Sequence, residues 1–256
     1  MPYPVGLRLR HPQRRRLGSA SVEWFEAVRD RVVPATGDVA LAAPRLLIVL
    51  GLALVLVAVE PLWRVVRLAV TLVHELGHAV VGVLVGRQFT GFVLRGDMSG
   101  HAVTRGPVRG PGRVASTWAG YPVPALLGAA MVWAAERGWA APVITAGLAV
   151  LLFALVRVRS VLTVVVMIVA IAGSAALWWW RDDALQTQVL VGLGIVLLVG
   201  GWRHLVAVLK DRTSGSDPGV LAWLTHLPRT VWNLSFVVVC ALATWVVAAE
   251  VVATVR

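Results

Sequence analysis

The chain has 256 residues, of which 58% are hydrophobic and only 14% charged, with 12 Trp against 5 Phe and 2 Tyr. A soluble domain is about 45–50% apolar and 25% charged, so this balance excludes an ordinary soluble enzyme and points to an all-α polytopic membrane protein. The net charge of +11 is explained by membrane topology, and nucleic acid is not expected as a partner.

Residues 1–45 form a basic N-terminal segment that opens with Arg8, Arg10, Arg14, Arg15 and Arg16. No apolar h-region follows at signal-peptide distance, so no cleaved signal is expected. From Ser21 to Val33, the residues Val22, Phe25, Val28 and Val32 recur at roughly helical spacing between charges. This suits a short helix lying on the bilayer surface, with a disordered basic tail as the alternative.

Residues 46–256 carry hydrophobic runs at about 46–62, 66–86, 115–134, 140–156, 159–180, 185–204 and 230–253. Several are only just long enough to span a core of about 30 Å, so about seven transmembrane helices are expected, or six if one run falls short. With the N-terminus in the cytoplasm, 19 of the 24 basic residues fall inside and only Arg64, Arg67, Arg137, Arg181 and Arg256 outside. The positive-inside rule favours that frame, which makes the chain a multi-pass protein of the cell membrane. The single cysteine, Cys240, lies in the last run and is expected to pack as a small hydrophobe.

Between the second and third runs, Gln88 to Leu94 is β-prone, residues 96–100 are turn-like and His101 to Arg105 reads as a returning strand. A short membrane-associated β-hairpin is therefore expected after the second helix. Between the sixth and seventh runs, residues 210–228 are first polar, then more apolar through Leu221, Trp223 and Leu227.

The second run holds His74, Glu75 and His78. A charged group at the bilayer centre costs roughly 2.5–3.5 kcal/mol on insertion scales, so such residues are seldom without a task. His74 and His78 stack on one helix face with Glu75 about 100° round the barrel. This is the H-E-x-x-H pattern, in which two imidazoles hold zinc and the Glu serves as general base. The bland alternative is a pair of histidines bonded within a helical bundle, with Glu75 beside Arg64 or Arg67. Gly82 and Gly86 continue the face of His78 and suit close helix approach. Catalytic zinc takes a third protein ligand. Asp217 is the first candidate, although Ser216-Asp217-Pro218 equally reads as a helix N-cap; His101 and Asp97 follow as candidates.

His74-Glu75-Leu-Gly-His78-Ala, the loop with Ser99-Gly100, Ala119-Gly120-Tyr121 with Pro122 and Pro124, and the late Ser216-Asp217-Pro together resemble the bacterial branch of the site-2 protease family of intramembrane zinc metallopeptidases. The resemblance covers roughly residues 66–128 and 210–235, without a PDZ module. It implies a zinc ion on His74 and His78, Glu75 as general base and Asp217 as third ligand. It also implies hydrolysis of a membrane protein or peptide substrate within the lipid bilayer. The chain departs from the better-studied members in lacking their Leu-Asp-Gly motif, and its only asparagine is Asn233, so no oxyanion donor is assigned. Two other classes stand beside this one: a non-proteolytic metal-binding membrane scaffold or regulator, and a transporter. The latter would call for more buried charge than Glu250 offers.

Overall fold

A computed structural model of the chain describes residues 23–37, 39–97, 99–211 and 213–255. The arginines at positions 8–16 lie outside the described residues. The N-terminal segment is helical over residues 23–30 (α1), with Trp24 and Phe25 exposed.

Two helices follow with one residue between them, α2 (Ala43–Ala58) and α3 (Glu60–Leu84). Pro61 stands in the first turn of α3, where its missing N–H leaves no bond unmade, so the helix starts at Glu60 and not at residue 66. The far end of α3 stops at Gly86, whose φ of 81° is open to glycine at little cost. A side chain on Gly86 would meet nothing within 4 Å, so this glycine is a helix stop and no part of a packing seam.

The expected hairpin is present: β1 (Gln88–Leu94) pairs antiparallel with β2 (Gly100–Arg105), with Val93 opposite His101 and Leu94 opposite Gly100. Its β1 edge is covered by the chain at 157–159, through Phe92 N–H to the Arg157 carbonyl and Arg159 N–H to the Phe92 carbonyl, both 3.2 Å. The Leu94 N–H donates to Thr163 Oγ1 at 2.7 Å. The next segment is broken into α4 (Pro111–Trp118) and α5 (Pro122–Ala135), bent by 64° at Ala119-Gly120-Tyr121. The bend follows from Pro122 and Pro124, which cannot bond back into the preceding turn. The remaining helices are α6 (Ala140–Leu155), α7 (Val161–Trp179), α8 (Asp183–Lys210), the short α9 (Asp217–Thr225) and α10 (Arg229–Val255).

At the middle of the bundle α8 packs on α2, α3, α5, α6 and α10. Glycines set these approaches: a Cβ on Gly194 would lie 2.6 Å from the Gly128 carbonyl oxygen, and one on Gly200 would lie 2.5 Å from Val70 Cγ2. Close backbone contact of this kind is how helices associate where lipid removes the hydrophobic drive between them. Ile48, Ile168 and Trp245 face outward and exposed, as a lipid-facing surface requires.

Four of these helices, α3, α7, α8 and α10, are long and apolar enough to cross a membrane, and the bent α4–α5 pair makes a fifth, while α2 and α6 are shorter apolar helices. The seven-run frame is not confirmed by the structure. It places residues 30–45 opposite Arg137 and Arg181, yet the Ala35 N–H donates to the Gly138 carbonyl at 2.8 Å and the Leu41 N–H to Glu136 Oε2 at 3.2 Å. Arg181 reaches the carbonyls of Asp30 and Val33, and Arg137 pairs with Glu250 at 3.0 Å. All these residues lie at one end of the bundle, and the hairpin lies at the other with the 157–159 link. The junction of α2 and α3 lies beside α8, where Arg203 stacks 4.1 Å over the Trp63 ring and approaches Glu60 at 3.6 Å. The described chain thus has four to five helical segments of crossing length, with α2 and α6 as shorter apolar helices beside them.

Candidate metal centre

Three elements distant in sequence meet around the middle of α3. A side chain on Gly77 would come within 2.9 Å of Val123 Cβ and 3.0 Å of the Ala119 carbonyl, so the break between α4 and α5 lies directly on the motif helix. At the bend, Gly120 faces the imidazoles, and a Cβ there would overlap His78 and lie 2.7 Å from His74 Cε1. The Tyr121 ring meets His74 edge-on, centroids 4.7 Å apart. Further along α3, a Cβ on Gly82 would lie 3.1 Å from both Ser116 Oγ and Thr104 Cγ2, which locks the helix to α4 and β2.

The third element is α9, whose first residue is Asp217. Its Oδ2 lies 3.3 Å from His74 Nε2 and 3.2 Å from His78 Nε2, and the two Nε2 atoms are 3.2 Å apart. Ser216 occupies the cap position without a side-chain cap bond; its hydroxyl donates to the Thr213 carbonyl instead.

These atoms suit a metal better than a proton. The Ser116 carbonyl can only accept, so the 2.7 Å contact from His78 places a hydrogen on Nδ1, which in the neutral ring leaves Nε2 as a lone pair. Ser116 Oγ returns a bond to the His78 carbonyl at 2.9 Å, clamping the residue from both ends. Asp217 Oδ2 is buried with no hydrogen-bond donor, an arrangement that is costly unless something positive sits among the three atoms. Atoms bound tetrahedrally at about 2.0–2.1 Å from zinc lie roughly 3.3–3.4 Å from one another, which matches the observed triangle. Among the described residues His74, His78 and Asp217 form the one group able to hold a metal ion in this way.

Glu75 lies outside the triangle, buried with only 4% of its surface exposed. A Cβ on Gly100 would lie 2.5 Å from Glu75 Oε1 and 2.6 Å from its Cγ, so the start of β2 rests directly on this side chain. The other two ligand candidates are elsewhere. His101 is exposed on β2. Asp97 is exposed in the hairpin turn, where the Ser99 hydroxyl at 2.7 Å and amide at 2.9 Å hold its carboxyl below the usual range.

Two contributors are absent from the sequence reading. Ser116 acts through a backbone carbonyl, which no residue pattern reveals. His204 on α8 places its ring 6.3 Å from that of His74. It had a signal, since an imidazole within an apolar run is as costly there as those of the motif.

A family model described as Peptidase M50B-like matches residues 47–247, which spans every element from α2 to most of α10. No curated protein and no solved structure matches the chain. With His74, Glu75 and His78 inside the matched span, the chain belongs to the site-2 protease family of membrane metallopeptidases.

Proposed function

We propose that the chain is an intramembrane zinc metalloprotease that hydrolyses peptide bonds of membrane-spanning or membrane-associated substrates. The observation that carries this reading is the triangle of His74 Nε2, His78 Nε2 and Asp217 Oδ2 at 3.2–3.3 Å with a buried, donorless carboxylate oxygen. These three side chains would hold the ion, and His78 is kept in the ligating tautomer by the Ser116 carbonyl. Zinc, when bound, supplies a Lewis acid that polarises a carbonyl and lowers the pKa of water toward about 7.

The remaining steps belong to the chain. Glu75 takes the proton of the attacking water and returns it to the leaving amine. Its burial under Gly100 strengthens its electrostatic interactions and keeps bulk water from the proton path. The sheet has two strands, and β2 pairs with β1 on one side only. An extended substrate segment adding to the other edge of β2 would lie next to Gly100 and therefore next to the base. We place the N-terminal segment in the cytoplasm on its arginines at positions 8–16. Residues 35–41 pack on Glu136 and Gly138, at the end of the bundle away from the hairpin, so the hairpin takes the opposite side.

The test uses the purified full chain in lipid nanodiscs. Wild type holds one zinc per chain, and His74→Ala, His78→Ala and Asp217→Ala lose it. Glu75→Gln keeps zinc and loses cleavage of a membrane-spanning peptide. Full activity in Glu75→Gln would remove the base role, and zinc retained in Asp217→Ala would remove the third ligand. Stoichiometric zinc with no cleavage in wild type would favour the metal-binding scaffold.

A further inference from the structure

The two ligand histidines are supported unequally. A metal-bound imidazole almost always donates its second N–H to an outer partner that fixes ring and tautomer. His78 has that partner in the Ser116 carbonyl at 2.7 Å. Among the described residues His74 has none: its Nδ1 is buried without a hydrogen bond, and so is Nε2 of His204.

These unpaired nitrogens belong to neighbouring rings, 6.3 Å between centroids and inclined at 71°. The neighbourhood is built into the helix packing. Gly200 brings α8 against Val70, and one turn on in both helices His204 comes to His74. Trp63 closes the other side of the His204 ring at 6.4 Å. Rings at this separation cannot join nitrogens within the roughly 3.2 Å of a direct bond, so any link between the two runs through a water, which needs polar partners on both sides.

We propose that His204 is a positioning residue for the metal centre: His74 Nδ1–H donates to a water that donates in turn to His204 Nε2, which leaves His74 Nε2 as a lone pair. The inference rests on the zinc reading of the site, and its test separates the two. Zinc affinity of the full chain is measured by chelator competition, with the visible spectrum of the cobalt-loaded protein as a second readout. His204→Ala and His204→Phe are expected to weaken zinc binding about 10–100-fold and shift the cobalt bands. His204→Gln, which keeps a polar group at this place, should recover most of the affinity, while melting of the metal-free protein stays near wild type in Gln and Phe. Wild-type affinity and spectrum in His204→Phe would show that only the ring's bulk matters and overturn the proposal while leaving the zinc site intact. Failure of wild type to bind zinc, or binding unchanged in His74→Ala, would overturn the site reading itself.

Discussion

The two ends of the bundle are held together in different ways. At one end the contacts are made by long side chains and loop backbone: Arg181 to residues 30 and 33, Arg137 to Glu250, Ala35 to Gly138. At the other, backbone presses directly on functional side chains: Gly120 on His74 and His78, Gly100 on Glu75. The first kind tolerates change because an arginine can swing away; the second does not, because a main chain cannot. The proposed metal centre therefore sits where a single methyl group is excluded.

The sharpest test of this division is topological. A reporter at residue 1 and one inserted at the 95–97 turn are expected on opposite sides of the membrane, since the segment at 30–41 and the hairpin lie at opposite ends of the bundle. Labelling of both from one side by an impermeant reagent would restore the seven-span frame and break the comparison.

That frame has an identifiable weak point. Charge sorting treats each apolar run as one crossing, and the runs at 46–62 and 66–86 became α2 and α3, of which only α3 is long and apolar enough to cross by itself. Local features were legible, because they rest on local physics. His74 and His78 show the helical repeat, Gln88–Leu94 and the return to Arg105 show strand propensity around a turn, and Pro122 and Pro124 announce the break in the third run. Asp217 was legible as one of two alternatives only, since a ligand and a cap use the same residue types. What brings Asp217 to the two histidines is that α9 packs on α4, a contact between elements about a hundred residues apart.

Gly120→Ala carries the next largest effect. The added methyl would overlap His78 and lie 2.7 Å from His74 Cε1, so the rings must shift from their ligating positions. Zinc affinity should fall at least about tenfold, as when an orienting partner is removed. Gly147→Ala, where a Cβ meets nothing within 4 Å, should bind as wild type. Equal affinities in the two variants would show that the bend at 119–121 yields and is no rigid wall to the site.

A smaller change is expected at the helix seam. In Gly128→Ala the new methyl would overlap the Gly194 carbonyl, which is backbone and cannot rotate aside. The α5–α8 contact must open, at a cost of about 1–3 kcal/mol typical of overpacking, read as a lower melting temperature of the purified protein. Zinc stoichiometry should stay at one, because neither helix supplies a ligand.

The smallest effect belongs to the opposite end. Arg137 and Glu250 pair at 3.0 Å, but the Arg137 side chain is 44% exposed, and it also donates to the Trp133 carbonyl at 2.9 Å and stacks 4.5 Å over the Trp133 ring. Solvent screens the charge pair and the ring contact binds the arginine whether or not Glu250 is present. Arg137→Ala should therefore lower stability by no more than about 1 kcal/mol and leave zinc affinity untouched. Glu250→Gln, which keeps the shape and removes the charge, should do less still. If Arg137→Ala instead lowered zinc affinity as far as Gly120→Ala, the two ends would be coupled through α5, which joins Tyr121 to Ala135, and the division between a forgiving end and an exacting one would fall.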